Sequence, residues 1–252
     1  MNRTRTPRRK QLPSQRGVAL FVVIVFVMLS MLLALWASRT ALFNEMVVGN
    51  DADYQRALEA AQALLQDAEL DIRGERADGS TCTGTSPVCR SGAGIAQIPL
   101  EAKEVSALLA DLEGMPTTDP QCNHALCAKR TGKQDFWNDP TALLAMMKNT
   151  MSSPTGARYG QYTGAQLGNT TNPANPILAM QTNANEGGWY WIEVLPYDAG
   201  AGNSALIAGG SSHLALNLDP NVAYRITAVA HGRKANTQAV LQQTYVRQKL
   251  KD

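Results

Sequence analysis

The feature that most constrains this chain is a run of 21 residues, 18–38, with no ionisable side chain: VALFVVIVFVMLSMLLALWAS, polar only at Ser30 and Ser38. At about 1.5 Å of rise per residue a helix of this length covers roughly 30 Å, the thickness of a bilayer's hydrocarbon core. A helix is also the one single-segment structure that satisfies its own backbone there. A cleavable secretory signal has a shorter apolar stretch, about 7 to 15 residues, followed by a small-x-small site, whereas this run leads into Ser38-Arg39-Thr40-Ala41-Leu42-Phe43. The expectation is a retained anchor. Residues 1–17 carry six basic side chains (Arg3, Arg5, Arg8, Arg9, Lys10, Arg16) and no acid. The positive-inside rule therefore puts the leader in the cytoplasm and everything after about residue 40 outside. The same leader supplies the net charge of +2: the other residues hold 17 bases against 21 acids, so the overall basicity is no sign of nucleic-acid binding.

The helical pattern does not stop at the membrane. From residue 18 to Pro87 there is no proline, and Gly49 is the only glycine before Gly74. Ala52, Tyr54, Ala57, Leu58, Ala61, Leu64, Leu65, Ala68 and Ile72 recur at three- and four-residue steps, with Asp53, Arg56, Glu59, Asp67 and Asp71 assigned to the opposite face. Gly49-Asn50 is either a break or a kink, since an internal glycine costs about 1 kcal/mol relative to alanine. One helix of roughly 50 residues follows, stopped at Arg73-Gly74 by a terminal cation and a glycine cap. The divisions expected are a leader (1–17), a transmembrane half-helix (18–38), an exported amphipathic half (39–73) and a globular head (74–252).

Ser14-Gln15-Arg16-Gly17 before Val18-Ala19-Leu20-Phe21-Val22-Val23-Ile24-Val25 resembles a class III signal, as in the type IV prepilins. Met46-Val47-Val48-Gly49-Asn50 through Ala57-Leu58-Glu59-Ala60-Ala61-Gln62-Ala63-Leu64 is similar to the PilX-type minor pilins. So are Tyr224-Arg225-Ile226-Thr227-Ala228 and Gln238-Ala239-Val240-Leu241-Gln242-Gln243-Thr244-Tyr245. The resemblance covers about 60 N-terminal and 30 C-terminal residues. It implies cutting by a prepilin peptidase between Gly17 and Val18, and N-methylation of Val18. It also implies a structural, non-enzymatic subunit that starts in the inner membrane and ends in a surface fimbrium. There it supports adhesion, aggregation, twitching motility or DNA uptake, with the major pilin, other minor pilins and the assembly machinery as partners. Most pilins carry a glutamate five residues into the mature chain, which pairs with a neighbour's terminal amine in the filament core. Here that position is Val22. A charge in a low-dielectric core is costly unless paired, so a subunit without the carboxylate fits best at or near the tip, where a large tip adhesin becomes a candidate partner. The alternatives are a minor pseudopilin of a type II secretion system and a membrane-anchored periplasmic binding or sensory domain.

The head, residues 74–252, has 14 basic and 14 acidic side chains, so the domain as a whole carries no electrostatic footprint for DNA. All four cysteines lie there: Cys82, Cys89, Cys122 and Cys127. An exported location favours disulfides, and three pairings are possible. Cys82 with Cys89 and Cys122 with Cys127 is preferred because each closes a short turn-rich loop. A zinc site is the rival, with spacings that fit it poorly. Two short helices are expected in an otherwise irregular middle. In residues 100–112, Val105, Leu108, Leu109 and Leu112 share a face. In residues 140–151, Leu143, Leu144, Met147 and Met151 do so, behind an Asn138 or Asp139 cap, and Met146 and Met147 belong to the core. Residues 189–195, 222–230 and 237–247 alternate as strands, the last two joined by a turn at 231–236. Tyr190, Ile192 and Val194 face one side. Trp189, Trp191, Glu193 and Leu195 face the other, the tryptophans being core if that side packs on the helix and an adhesive patch if it faces outward. The fold class is therefore α+β and pilin-like: a long N-terminal helix packed on a three- or four-stranded antiparallel sheet, with a loop-rich variable middle.

No catalytic, cofactor or metal motif emerges. The histidines, 124, 213 and 231, are far apart, and His231 is expected to be solvated. Ser211-Ser212-His213 is a loop rather than a nucleophile. Asp198, Asn203, Asp219 and Asn221 do not follow the spacing of a calcium loop, and Asn169-Thr170-Thr171 matches a glycosylation sequon of little weight in a bacterial-looking protein.

Overall fold

A computed structural model describes residues 16–82, 88–91, 94–99, 101–116, 120–148, 154–169, 171, 173–197 and 218–248. The leader 1–15, Met151, the sequon's Thr170, and Asp198, Asn203 and Ser211-Ser212-His213 lie outside them. The chain divides into two compact units at Gly49 and Asn50.

Helix α1 spans Arg16–Arg73, so the backbone is helical through Gly49-Asn50. It stops where the sequence supplies a left-handed residue. Gly74 has φ +66°; its N–H donates to the Asp71 carbonyl (3.1 Å), and the Glu75 N–H reaches back to Leu70 (2.9 Å). These are the two bonds of a Schellman cap, which satisfy carbonyls the helix leaves open.

In the first unit, α1 is the described structure, and every side chain of residues 18–38 is exposed. In the second, α2 (Ala102–Glu113) and α3 (Pro140–Met146) accompany five strands: β1 (Cys122–Asn123), β2 (Leu126–Cys127), β3 (Gly188–Pro196), β4 (Leu218–His231) and β5 (Gln238–Gln248). The sheet order is β1-β2-β3-β4-β5. The pairs β1/β2, β3/β4 and β4/β5 are antiparallel, while β2 runs parallel to β3, Leu126 opposite Ile192. The expected three or four antiparallel strands are thus five with one parallel pairing. The extra strands are two residues each, too short to show any periodicity, and they form because the turn at His124-Ala125 folds back beside β3.

Alternation along β3 divides the core in two. Tyr190, Ile192 and Val194 join Tyr224, Ile226 and Ala228 of β4 and the α1 residues Ala57, Ala60, Ala61, Leu64, Ala68 and Ile72. From α2, Val105, Leu108 and Leu112 enter the same cluster. Trp189 and Trp191 are also buried, yet not against α1: they pack with Phe136, Leu143, Met146 and Met147 and the Cys122/Cys127 sulfurs. Trp191 donates its indole N–H to the Met146 carbonyl (3.0 Å) and meets Phe136 edge-on. On α3, Asp139 is the N-cap, accepting from Thr141 and Ala142 N–H, with Pro140 in the first turn. The buried face is Leu143, Met146 and Met147, and Leu144 is exposed, which corrects its expected place beside Leu143.

Candidate functional site

The largest departure from the sequence reading is on α1. Asp53, Asp67 and Asp71, assigned to the outward face, are buried at 2%, 2% and 5% exposure. Asp53 and Asp71 are 18 residues apart, five turns at 3.6 residues per turn, so they lie on one line, and Asp67 is one turn short of it. That line is the stripe of Ala60 and Leu64. Burying a carboxylate is costly unless it is hydrogen-bonded or paired, and each of the three is supplied differently.

Asp53 accepts the backbone N–H groups of Arg233 (3.0 Å) and Lys234 (2.9 Å) and so closes the β4–β5 turn. Gly232 leaves room for it, because a Cβ there would meet the Asp53 carboxylate and Thr237. Burial raises the Asp53 pKa, but the two N–H donors, the Thr237 hydroxyl and the Lys234 charge outweigh it and hold it below the usual value. Asp67 accepts the Gly160 N–H (2.8 Å) and the Thr163 hydroxyl, neither of them charged. Desolvation therefore wins and pushes its pKa up to about 6, with Asp71 adding to the rise.

Asp71 has the only cation of the three in bidentate contact. Arg90 Nε donates to Oδ1 (2.7 Å) and NH2 to Oδ2 (2.6 Å), and the Tyr190 hydroxyl donates to Oδ2 (3.1 Å). Arg90 also donates to the carbonyls of His124 (2.8 Å) and Ala96 (3.2 Å) and lies 3.9 Å above the Tyr162 ring. Burial works against the Arg90 charge, and Asp71 more than offsets it, leaving the pKa above its ordinary value. Burial moves the Tyr162 hydroxyl up to about 12.

Arg90 is delivered by the bond next to it. Cys82 and Cys89 are joined, as are Cys122 and Cys127, with sequence separations of 7 and 5. The second bridge closes the β1–β2 hairpin, whose turn residues His124 and Ala125 have φ of 51° and 66°, conformations that ordinarily favour glycine or asparagine. That turn is held by the Arg90 bond to the His124 carbonyl and by Ile192 N–H donating to Ala125 (2.7 Å). One buried guanidinium thus ties α1, both bridged loops and, through the turn, β3. The sequence singles out neither Arg90 nor Tyr162, and of Tyr190 it gives only the strand face. Three acids on a buried stripe were the available signal, because one of them had to find a cation.

The residues expected to be processed lie in the other unit. Gly17 is in the first turn of α1; Val18 is 67% exposed and Val22 42%. From residue 18 on, α1 is long and apolar enough to cross a membrane, and its apolar window buries nothing within the chain. An exposed apolar surface of that size marks contact with lipid or with other proteins. His231, expected to be solvated, is half-buried with its Nε2 closed off, and burial and Arg158 push its pKa down.

A family profile described as PilX N-terminal matches residues 16–66, and one described as type IV pilus assembly protein PilX C-term matches residues 123–247. The chain belongs to the PilX family of type IV pilus assembly proteins. The two matches hold 176 of its 252 residues, and they fall on α1 from its exposed half through the buried Asp53 to Gln66, and on the hairpin, sheet and tryptophan core. No curated protein and no solved structure matches the chain. PilX-type proteins act with other pilins and the pilus machinery, and the role is that of a minor pilin in assembly, anchored by the apolar helix.

Proposed function

We propose that this PilX-type protein is a minor pilin that primes assembly of a type IV pilus and is incorporated at or near its tip. In this reading residues 1–17 are a cytoplasmic leader, removed by prepilin peptidase between Gly17 and Val18, and Val18 is then N-methylated. The head faces the periplasm before assembly and the cell surface afterwards. The bond to be cut is in the first helical turn, whose N–H groups lack intrahelical partners, so opening it costs little.

The observation that carries the tip assignment is Val22, an apolar side chain where the family resemblance places a glutamate, on a helix with no carboxylate before Glu45. Two unit charges 4 Å apart attract by about 1 kcal/mol in water and about 4 kcal/mol at an effective dielectric of 20, so the missing partner matters only inside a packed filament. A subunit with no neighbour on that side avoids the cost.

The test is gold-labelled antibody on sheared pili. A few particles at filament ends are expected for wild type, and labelling along the shaft for Val22→Glu. Labelling dispersed along wild-type shafts at the major pilin's density rules out the tip. Separately, intact-mass analysis should find the chain beginning at Val18 in cells with prepilin peptidase. Retention of residues 1–16 there would point to the membrane-anchored sensory alternative. Deletion should sharply reduce surface pili while leaving the major pilin in the inner membrane. Adhesion, aggregation and twitching would then fall together with pilus number.

A further inference from the structure

Beside α3 a cavity of about 310 Å³ opens between the β1–β2 hairpin and the segment that follows it, lined by Gln121, Arg130, Thr131, Lys133, Ala142 and Met146 among others. Among the described residues neither of its cations forms an ion pair, and Lys133 feels only the exposed Asp135, which accepts from the Asn138 side-chain amide (3.0 Å). Arg130 NH1 is 3.3 Å from the Met146 thioether, a weak acceptor, and the guanidinium lies 4.8 Å above the Phe136 ring. Its Nε is shut off from solvent with no hydrogen-bond partner among the described residues. The acid whose charge reaches Arg130 is committed elsewhere. Glu193 takes Arg225 Nε (2.6 Å) and NH2 (2.8 Å), and it accepts only the backbone N–H of Arg130 (3.1 Å). Burial consequently lowers the Arg130 pKa, with Glu193 compensating in part and Arg225 opposing. A guanidinium parked on sulfur and an aromatic face, at the wall of a cavity with a lysine beside it, is a carboxylate site without its carboxylate.

We propose that this cavity binds one carboxylate side chain of an acidic peptide segment on a partner protein, seated between the Arg130 guanidinium and the Lys133 ammonium. The remaining walls suit a peptide side chain: alanine methyls and the Met146 thioether meet its aliphatic stem while Gln121 and Thr131 offer further polar contacts. A polyphosphate backbone fits less well. Nucleic-acid affinity grows with the number of phosphates neutralised, and this is a single pocket on a head with as many acids as bases. The site is independent of whether the subunit sits at the tip.

The full-length chain, in detergent micelles and labelled with carbon-13 at its methionine methyls, carries its own reporter. The Met146 resonance is assigned by its loss in Met146→Leu. The capped peptide acetyl-Gly-Glu-Gly-amide, titrated at constant ionic strength, should shift that resonance saturably, and acetyl-Gly-Gln-Gly-amide should not. Lys133→Ala and Arg130→Lys should each weaken the response several-fold, the latter keeping the charge but losing the two-pronged geometry; Arg130→Gln should abolish it. Absence of a saturable shift with the glutamate peptide overturns the proposal. So does an equal shift with the glutamine peptide, or a response to inorganic phosphate or single-stranded oligothymidine with none to the glutamate peptide. An unchanged response in Arg130→Lys would also overturn it.

Discussion

Along residues 18–38 of α1 no side chain is ionisable and all are exposed, whereas between Asp53 and Ile72 three carboxylates are buried among alanines and leucines. The same secondary structure meets opposite solvent conditions in the two regions. In the first, composition is uniform around the helix, so nothing in it prefers one partner within the chain. In the second, a narrow stripe of small residues brings the helix backbone close to the head, and each aspartate collects donors from a different segment. An apolar stripe alone would fix how deeply the helix is buried. The carboxylates also fix which segment lies at which height along it, because a charge left without its donors is heavily penalised.

The largest effect that would sharpen this contrast is at Asp71. Asp71→Ala strands Arg90 in the interior and should cost about 3 to 5 kcal/mol, read from the urea midpoint followed by tryptophan fluorescence. Asp71→Leu combined with Arg90→Met should regain most of that loss, since removing both partners leaves no orphan charge. If the single substitution is nearly neutral, the buried half does not depend on paired charge and the comparison breaks. In the other half, Met28→Asp places a carboxylate at the middle of the uncharged run and should cost about 3 kcal/mol of membrane insertion. The check is the fraction of chain left in the alkali-resistant membrane pellet, which should fall.

Asp67 gives a pH test of similar size. Its folded pKa, about 6, is raised above the ordinary value of 3.8. The folded state thus holds the proton more tightly than the unfolded one. The stability this confers relative to neutral pH is complete below about pH 4 and disappears as pH rises through 6, a change of about 3 kcal/mol. Asp67→Asn should therefore gain on wild type between pH 4 and pH 7, as measured by urea unfolding at both. A constant difference at the two values would place Asp67 in water. The smallest effect is at Asp53, whose pKa is lowered, so its contribution is present at neutral pH and is lost only as the solution becomes acidic. Asp53→Ala should cost about 1 to 2 kcal/mol at pH 7, the loss of charge-assisted bonds to the 233–234 turn, and less at pH 3.

The sequence made the long helix, its stop at Arg73-Gly74 and the three main strands readable, because each repeats a period over enough residues to be counted. Asp53, Asp67 and Asp71 mislead by residue type: charge suggests an outward face although their spacing puts them with Leu64. Alternation sets Trp189 and Trp191 apart from Tyr190, but their cover comes from Phe136 and Met146, more than 40 positions away, and no local pattern announces it. For β1 and β2, disulfide geometry and the positive-φ turn do what side-chain alternation cannot do in two residues. Arg90 stood alone between Cys89 and Ser91, without a repeat or motif to mark it.

The bonds that close the β4–β5 turn onto Asp53 join residues 180 and 181 positions apart. At roughly 5 to 20 residues per second, Asp53 is made about 10 to 40 s before its donors exist. During that interval the stripe that will become interior must remain in contact with water or chaperone. Three ionised aspartates spaced along it keep an alanine- and leucine-rich surface soluble until the last two strands arrive. The side chains that lock the finished head are thus the ones that make its delay survivable.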